Sequence, residues 1–274
     1  MGEDASSAVR RCIAPWEDAV SALRALDPSL LVHGSRSTGL ALQGSDVDIA
    51  CSVPLQDLVR AVKQQAPAHF AILENVHWAR MPRLLLLHRA TGTELDIIRA
   101  TQVDSIVQRD RVTRALVSAD PRAMELAKSI GAWTRKHQQV MPPREGYPNS
   151  YTFRLTGFHY LMCRPNGAIL SPLAESGVTF AENCKLAGQT RSSNANAESS
   201  AGKDVPVEEL FKEWLLHLAN AETEGLFADL RRPWERGIGW TVVDPISGRN
   251  LTGFRGEQPK IIASLARADL EGNI

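Results

Sequence analysis

His33-Gly34-Ser35, then ten residues, then Asp46-Val47-Asp48 is the stretch on which the reading of this chain turns. In an extended strand, side chains two apart share a face. Asp46 and Asp48 therefore project together, while Val47 and Ile49 turn into the core. Two carboxylates side by side repel, and a cation between them relieves the repulsion. Magnesium suits that place, being hard, oxygen-seeking and usually shared with substrate phosphates. Upstream, Leu30-Leu31-Val32 reads as a buried strand ending at Gly34-Ser35. Gly34 permits close backbone approach there, and the Ser35 hydroxyl with the following amides can hold a phosphate tail. Later, Thr93-Glu94-Leu95-Asp96-Ile97-Ile98 alternates polar and apolar and puts Glu94 and Asp96 on one face.

Working outward, apolar residues Val9, Cys12, Ile13, Trp16, Val20, Leu23 and Leu26 recur at helical spacing and predict a helix over 5–26, ended by Asp27-Pro28. A short helix is expected around 37–42, a strand over 46–53 and a helix from Pro54 to about Gln65. Strands are expected at 70–74, 83–88 and 94–99, with Thr91-Gly92 as a hairpin turn, giving a mixed, mostly antiparallel sheet. Beyond residue 100 the character is helical: 104–117, then a helix capped by Asp120-Pro121 and running to about His137, another from Ser150, and one over 205–222. Residues 188–204, rich in Ser, Asn, Ala and Gly, read as a mobile surface loop.

The Gly-Ser turn followed by an Asp-x-Asp strand resembles the nucleotidyltransferase superfamily that includes DNA polymerase beta. A Gly-Ser alone is an ordinary turn, and a lone Asp-x-Asp is usually a solvated strand face. Their order, followed by a later acidic strand, is what makes the pattern specific. The resemblance implies a third metal-binding aspartate on that later strand, where this chain has Asp96. Within the superfamily, the helical half resembles the non-canonical poly(A) polymerase and terminal uridylyltransferase branch. Asn149-Ser150-Tyr151 leading to Phe158-His159-Tyr160-Leu161, Asp120-Pro121-Arg122 before Trp133, and Trp240-Thr241-Val242-Val243-Asp244-Pro245 carry the likeness. In its short length the chain resembles the minimal trypanosomal uridylyltransferases.

The fold class this implies is α+β. A polymerase beta-like nucleotidyltransferase domain over 28–101 would be joined to a mainly helical poly(A)-polymerase-associated domain formed by 1–27 and 102–274, bilobal with a cleft between. Asp46, Asp48 and Asp96 would be the catalytic residues and hold two Mg2+ (or Mn2+) ions. Gly34, Ser35, Arg135 and Ser150 would contact the triphosphate, and Tyr151 would stack on the base. Asp244 would accept a hydrogen bond from a pyrimidine edge. Two departures stand out. Gly131 occupies a place where the family carries a lysine, and Arg109 or Asp110 falls where it carries a ribose-contacting asparagine. Arg80, Arg83 and Arg89 are candidate RNA-backbone contacts, although strand edges carry arginines without that role.

Composition narrows the function classes. The chain has 274 residues, 43% of them hydrophobic, with Lys+Arg and Asp+Glu both at 31 and no net formal charge. A protein gripping long duplex by charge alone would be basic, so neutrality favours a compact site for a strand end. Cys12, Cys51, Cys163 and Cys184 are scattered, which argues against a zinc site and for a reducing, intracellular setting, mitochondrial or cytoplasmic. Apolar runs such as Leu84–Leu87 are too short to span a bilayer. The expected activity is template-independent addition of UMP from UTP to the 3′ end of single-stranded RNA, by a protein monomeric on its own and working with an RNA-processing complex. The alternatives are ATP as substrate, a catalytically silent RNA-processing scaffold, and a small-molecule nucleotidyltransferase.

Overall fold

The computed structural model describes residues 15–78, 82–100, 103–173, 205–235, 239–254 and 256–272. Two compact units emerge, one from Met1–Arg36 and Gly44–Val103 and the other from Ser37–Gln43 and Asp104–Ile274, each taken over its described residues. The expected mobile loop at 188–204 and the first ten residues of the expected N-terminal helix lie outside the described residues.

The first unit is a five-stranded sheet with helices on one face. Its strands are β1 (Leu31–His33), β2 (Val47–Cys51), β3 (Phe70–Asn75), β4 (Arg83–His88) and β5 (Thr93–Arg99), in the order β1-β2-β5-β4-β3. Only the β2–β5 pair is parallel; β1–β2, β4–β5 and β3–β4 are antiparallel. Strict alternation in β4 and β5 buries Leu84, Leu86, Leu95 and Ile97 on one face. Helices α1 (Pro15–Arg24) and α3 (Leu55–Gln65) cover that face, α3 through Leu55, Leu58, Val59 and Val62 at helical spacing. The other face keeps Asp48, Leu85, Leu87 and Asp96 partly exposed.

Residues 1–27 were expected to join the helical domain, and the described part of α1 corrects this. Ala19, Val20 and Leu23 are buried in one cluster with Val47, Ile49, Leu95 and Ile97. Only residues 25–30 separate α1 from β1, so the helix folds back on the sheet it precedes. The short helix α2 also differs from expectation. It spans Gly34–Thr38, starting directly at the end of β1 and not at 37. The segment Ser37–Gln43 belongs to the helical unit, where Leu40 is buried in one cluster with Leu126, Ile130 and Phe153 and its carbonyl accepts from Arg154 at 3.2 Å.

The second unit contains α4 (Val103–Ala119), α5 (Pro121–Lys136), α6 (Ser150–Cys163), α7 (Val207–Glu224) and α8 (Gln258–Glu271), with a two-stranded parallel sheet of β6 (Leu226–Ala228) and β7 (Trp240–Val242). Helix α5 starts where Asp120 accepts from the Arg122 N–H at 2.8 Å with Pro121 at the first helical position. Asn149 caps α6 in the same way through Thr152 N–H at 2.9 Å. From Thr152 to Met162 α6 is buried on every side, as a helix at the centre of a bundle must be. Trp133 meets Phe153 and Trp214 edge-on in this core, both at 5.5 Å between ring centroids. Among the described residues, no helix is long and apolar enough to cross a membrane.

Candidate active site

The parallel register between β2 and β5 sets Asp48 directly opposite Asp96. Asp46 lies one residue before β2 and is exposed, while Asp48 and Asp96 are half-buried. One carboxylate oxygen from each of the three comes within 4.8 Å of the others. The side-chain period of a strand brings Asp46 and Asp48 to one face, and pairing with β5 adds the third acid. Oxygen donors converging this closely match the preference of Mg2+ or Mn2+, so the residues present fit the cations expected from the sequence.

Gly34 is part of this geometry. Its φ is +70°, a left-handed conformation that disfavours a side chain. A Cβ there would lie 3.1 Å from the Asp48 Cγ and closer still to the carboxylate oxygen Oδ2. The glycine thus gives the Asp48 carboxylate the space it occupies. Ser35 follows in the first turn of α2, half-buried.

Arg83, one of the candidate RNA-backbone contacts, is engaged within the sheet. Its Nε donates to Asp96 Oδ1 at 2.7 Å, and its outer nitrogen lies 3.5 Å from Glu74. The hydrogen bond to Asp96 holds the guanidinium even more firmly in its charged form. No sequence signal singles Arg83 out, because the contact depends on which strand neighbours β5.

A second cluster lies in the helical unit. Val243 bridges to Asn250, and between them the chain turns with the Asp244 N–H donating to Arg249 O at 2.8 Å. This turn puts Asp244 at 0% exposure. Its carboxylate accepts from Ser247 Oγ at 2.8 Å, from the Ile246 N–H at 3.1 Å, and from Arg109 through Nε at 3.1 Å and a terminal nitrogen. Burial by itself would raise the Asp244 pKa. The donations from Arg109, Ser247 and Ile246 outweigh it and hold the acid below the usual carboxylate range. Asp244 is therefore already engaged, and Arg109, its side chain 37% exposed, is the member of the pair a ligand can reach. Arg109 looked like a departure in the sequence; the structure makes it the partner of a motif residue 135 positions away.

Tyr151 completes this group, with the Arg109 guanidinium 6.0 Å from its ring centroid. Its buried hydroxyl has no hydrogen-bond partner within the protein, and burial together with the nearby Asp244 charge pushes its pKa well up. A neutral phenol carrying an unused donor invites a ligand oxygen. Ser150 is exposed at the start of α6. Arg135, exposed near the end of α5, donates to the Gln43 carbonyl at 2.6 Å. Gly131 has a steric reason: the Arg154 guanidinium, donating to Ala127 O at 3.1 Å, packs where a side chain at 131 would go.

No family model and no curated protein sequence matches the chain. Solved structures do. The chain is similar to the Cid1 poly(U) polymerase at 18% identity, covering 95% of this chain and 88% of that one with a TM-score of 0.65. Its likeness to mtPAP, solved as a mutant in complex with ATPγS, has a TM-score of 0.68 at 14% identity, over 94% of this chain and 63% of mtPAP, less than two thirds of that protein. A cytoplasmic RNA terminal U-transferase matches at 16% identity and a TM-score of 0.59, over 92% of this chain and 84% of that one. Likeness at such identities shows the fold. The α+β polymerase beta-like nucleotidyltransferase fold expected from the sequence is the one the chain has.

Proposed function

We propose that this protein is a template-independent RNA 3′-terminal nucleotidyltransferase that adds UMP from UTP, in the manner of the minimal uridylyltransferases. The observation that carries the proposal is the convergence of Asp46, Asp48 and Asp96 within 4.8 Å on neighbouring strands. Divalent cations bound there supply the charge that activates the RNA 3′-hydroxyl and neutralises the triphosphate. Asp46 and Asp48 hold them, and Asp96 shares in holding them and accepts the hydroxyl proton. Gly34 keeps the turn close to Asp48, while Ser35, Ser150 and Arg135 bind phosphate oxygens. Tyr151 offers its ring to the base.

UTP is favoured over ATP by the chemistry of the second cluster. Arg109 presents N–H donors beside Tyr151, with its charge fixed by Asp244. Uracil offers two carbonyl acceptors on its edge, which suit such donors, whereas the Watson–Crick edge of adenine offers an amino donor beside one ring nitrogen. Asp244 thus acts on the base through Arg109. ATP remains the second reading, since the similar structures include both a poly(U) polymerase and mtPAP.

The test is incubation with a short single-stranded RNA, Mg2+ and each ribonucleoside triphosphate in turn. Extension by UTP well above ATP is expected, with Asp96→Ala inactive but folded. Extension by none of the four, in a protein that binds RNA, would leave the scaffold reading in place; full activity of Asp96→Ala would remove the assignment of that residue.

A further inference from the structure

Two tryptophans are mostly exposed among the described residues, Trp78 at 73% and Trp234 at 65%. An indole left in water forgoes most of the burial energy its large ring could gain, and one held in a defined place presents a ready stacking face. Trp78 is so held. It lies three residues beyond β3, next to His77, whose ring meets the indole edge-on at 4.9 Å and 81°. His77 is itself fixed by Asn75, with Nδ1 3.1 Å from the amide oxygen. The turn closes where the Val76 N–H donates to Arg83 O at 2.9 Å.

The far side of that turn is the residue on Asp96. Arg83, which closes the hairpin with its backbone, donates its side-chain Nε to Asp96 at 2.7 Å. Four residues separate Trp78 from Arg83, so the two lie at most about 18 Å apart along the chain. Bases of a stacked strand rise about 3.4 Å each, so that span is no more than about five nucleotides. An RNA 3′ end at Asp96 and a base stacked on the indole would thus be only a few nucleotides apart. Trp78 offers an open π-face that any base can use, as sequence-tolerant binding of single strands requires.

We infer that Trp78 is an RNA-binding residue, stacking on a base a few nucleotides upstream of the 3′ end of the single-stranded substrate. The inference rests on the RNA-transferase reading, and its test separates the two. The full chain is titrated into a 5′-fluorescein-labelled oligoadenylate with a free 3′-hydroxyl at 0.1 M salt, without nucleotide, and anisotropy is followed. Extension is measured in parallel for KM of RNA and KM of UTP, and Mn2+ binding is followed by electron paramagnetic resonance. Trp78→Ala weakens RNA binding about 5- to 150-fold, the range for losing one stacked base. It raises the KM for RNA accordingly while KM for UTP and Mn2+ binding stay put. Trp78→Phe retains most of the affinity, and Trp234→Ala behaves as wild type. Equal RNA affinity for Trp78→Ala and wild type overturns the inference while leaving the transferase reading untouched. Wild-type protein that extends no RNA removes the transferase reading; weaker binding by Trp78→Ala would then still support the stacking contact.

Discussion

Gly34→Ala separates the geometry of the acidic site from the stability of the fold. At φ +70° an alanine pays about 1–2 kcal/mol for the left-handed conformation. Its stiffer unfolded chain returns about 0.4–1 kcal/mol, leaving a net loss of about 1 kcal/mol. For a chain of this size that lowers Tm by roughly 2–4 °C. Gly44, also at φ +70° but with nothing within 4 Å of its would-be Cβ, faces the same backbone cost and is the matched control. The difference lies in Asp48. At Gly34 the new methyl would sit 3.1 Å from the Asp48 Cγ and 3.3 Å from its Cβ, so the carboxylate must turn away. Displacing a positioning contact at a metal site typically costs about 10- to 100-fold in affinity, and a misplacement of about 1 Å costs on the order of 100-fold in rate.

Melting both variants in EDTA, titrating each with Mn2+ under electron paramagnetic resonance, and assaying RNA extension gives three independent readings. Both variants should lose similar stability. Gly34→Ala alone should lose Mn2+ affinity and most of its extension activity. Wild-type Mn2+ affinity in a folded Gly34→Ala protein would refute the claim that this turn and Asp48 form one site.

Two further predictions concern the helical unit. His159 is buried, and loss of hydration together with the nearby His217 pushes its pKa down to about 4, against a partial pull upward from the Pro233 carbonyl it bonds. The unfolded chain then takes up the proton first, so its stabilising effect is complete above about pH 6.5 and drains away between there and about pH 4, about 3 kcal/mol in all. Tm should fall between pH 6.5 and 5, where carboxylates stay ionised, and His159→Asn should flatten that slope; an unchanged slope would show that His159 is not its source. Glu213 accepts from Tyr160 Oη at 2.7 Å and from Arg164 at 2.7 and 2.9 Å. Glu213→Gln leaves the buried Arg164 without its counter-charge and should cost about 2 kcal/mol, read as a Tm loss of roughly 4–8 °C that an unaltered melting curve would exclude.

What could be read from the sequence follows the range of the forces involved. Strand alternation in 93–98 and helical spacing in 55–62 are local, and β5 and α3 form there. The Asp-x-Asp strand and the later acid were legible for the same reason; their convergence needed a parallel register that periodicity does not specify. The apolar stripe of α1 says that one face is buried but not against what, and the sheet takes it. The pairing of Arg109 with Asp244 joins residues far apart in sequence, so spacing carries no sign of it. β6 and β7 are three residues each, too short to show a period.

The acidic cluster differs in kind from four engaged acids elsewhere among the described residues. Asp229 meets Arg231 and Arg232, Asp244 meets Arg109, Glu213 meets Arg164, and Asp269 meets Lys136 and His137. In each, an acid is surrounded by bases, and its charge is settled within the fold. At the β2–β5 site three acids meet, with Arg83 on one of them. Each pair of like charges at 4.8 Å costs about 1 kcal/mol in water and several times that where solvent is partly excluded. Arg83, 2.7 Å from Asp96, offsets some of this at that one acid. Three acids brought together in this way make a place that a divalent cation would suit.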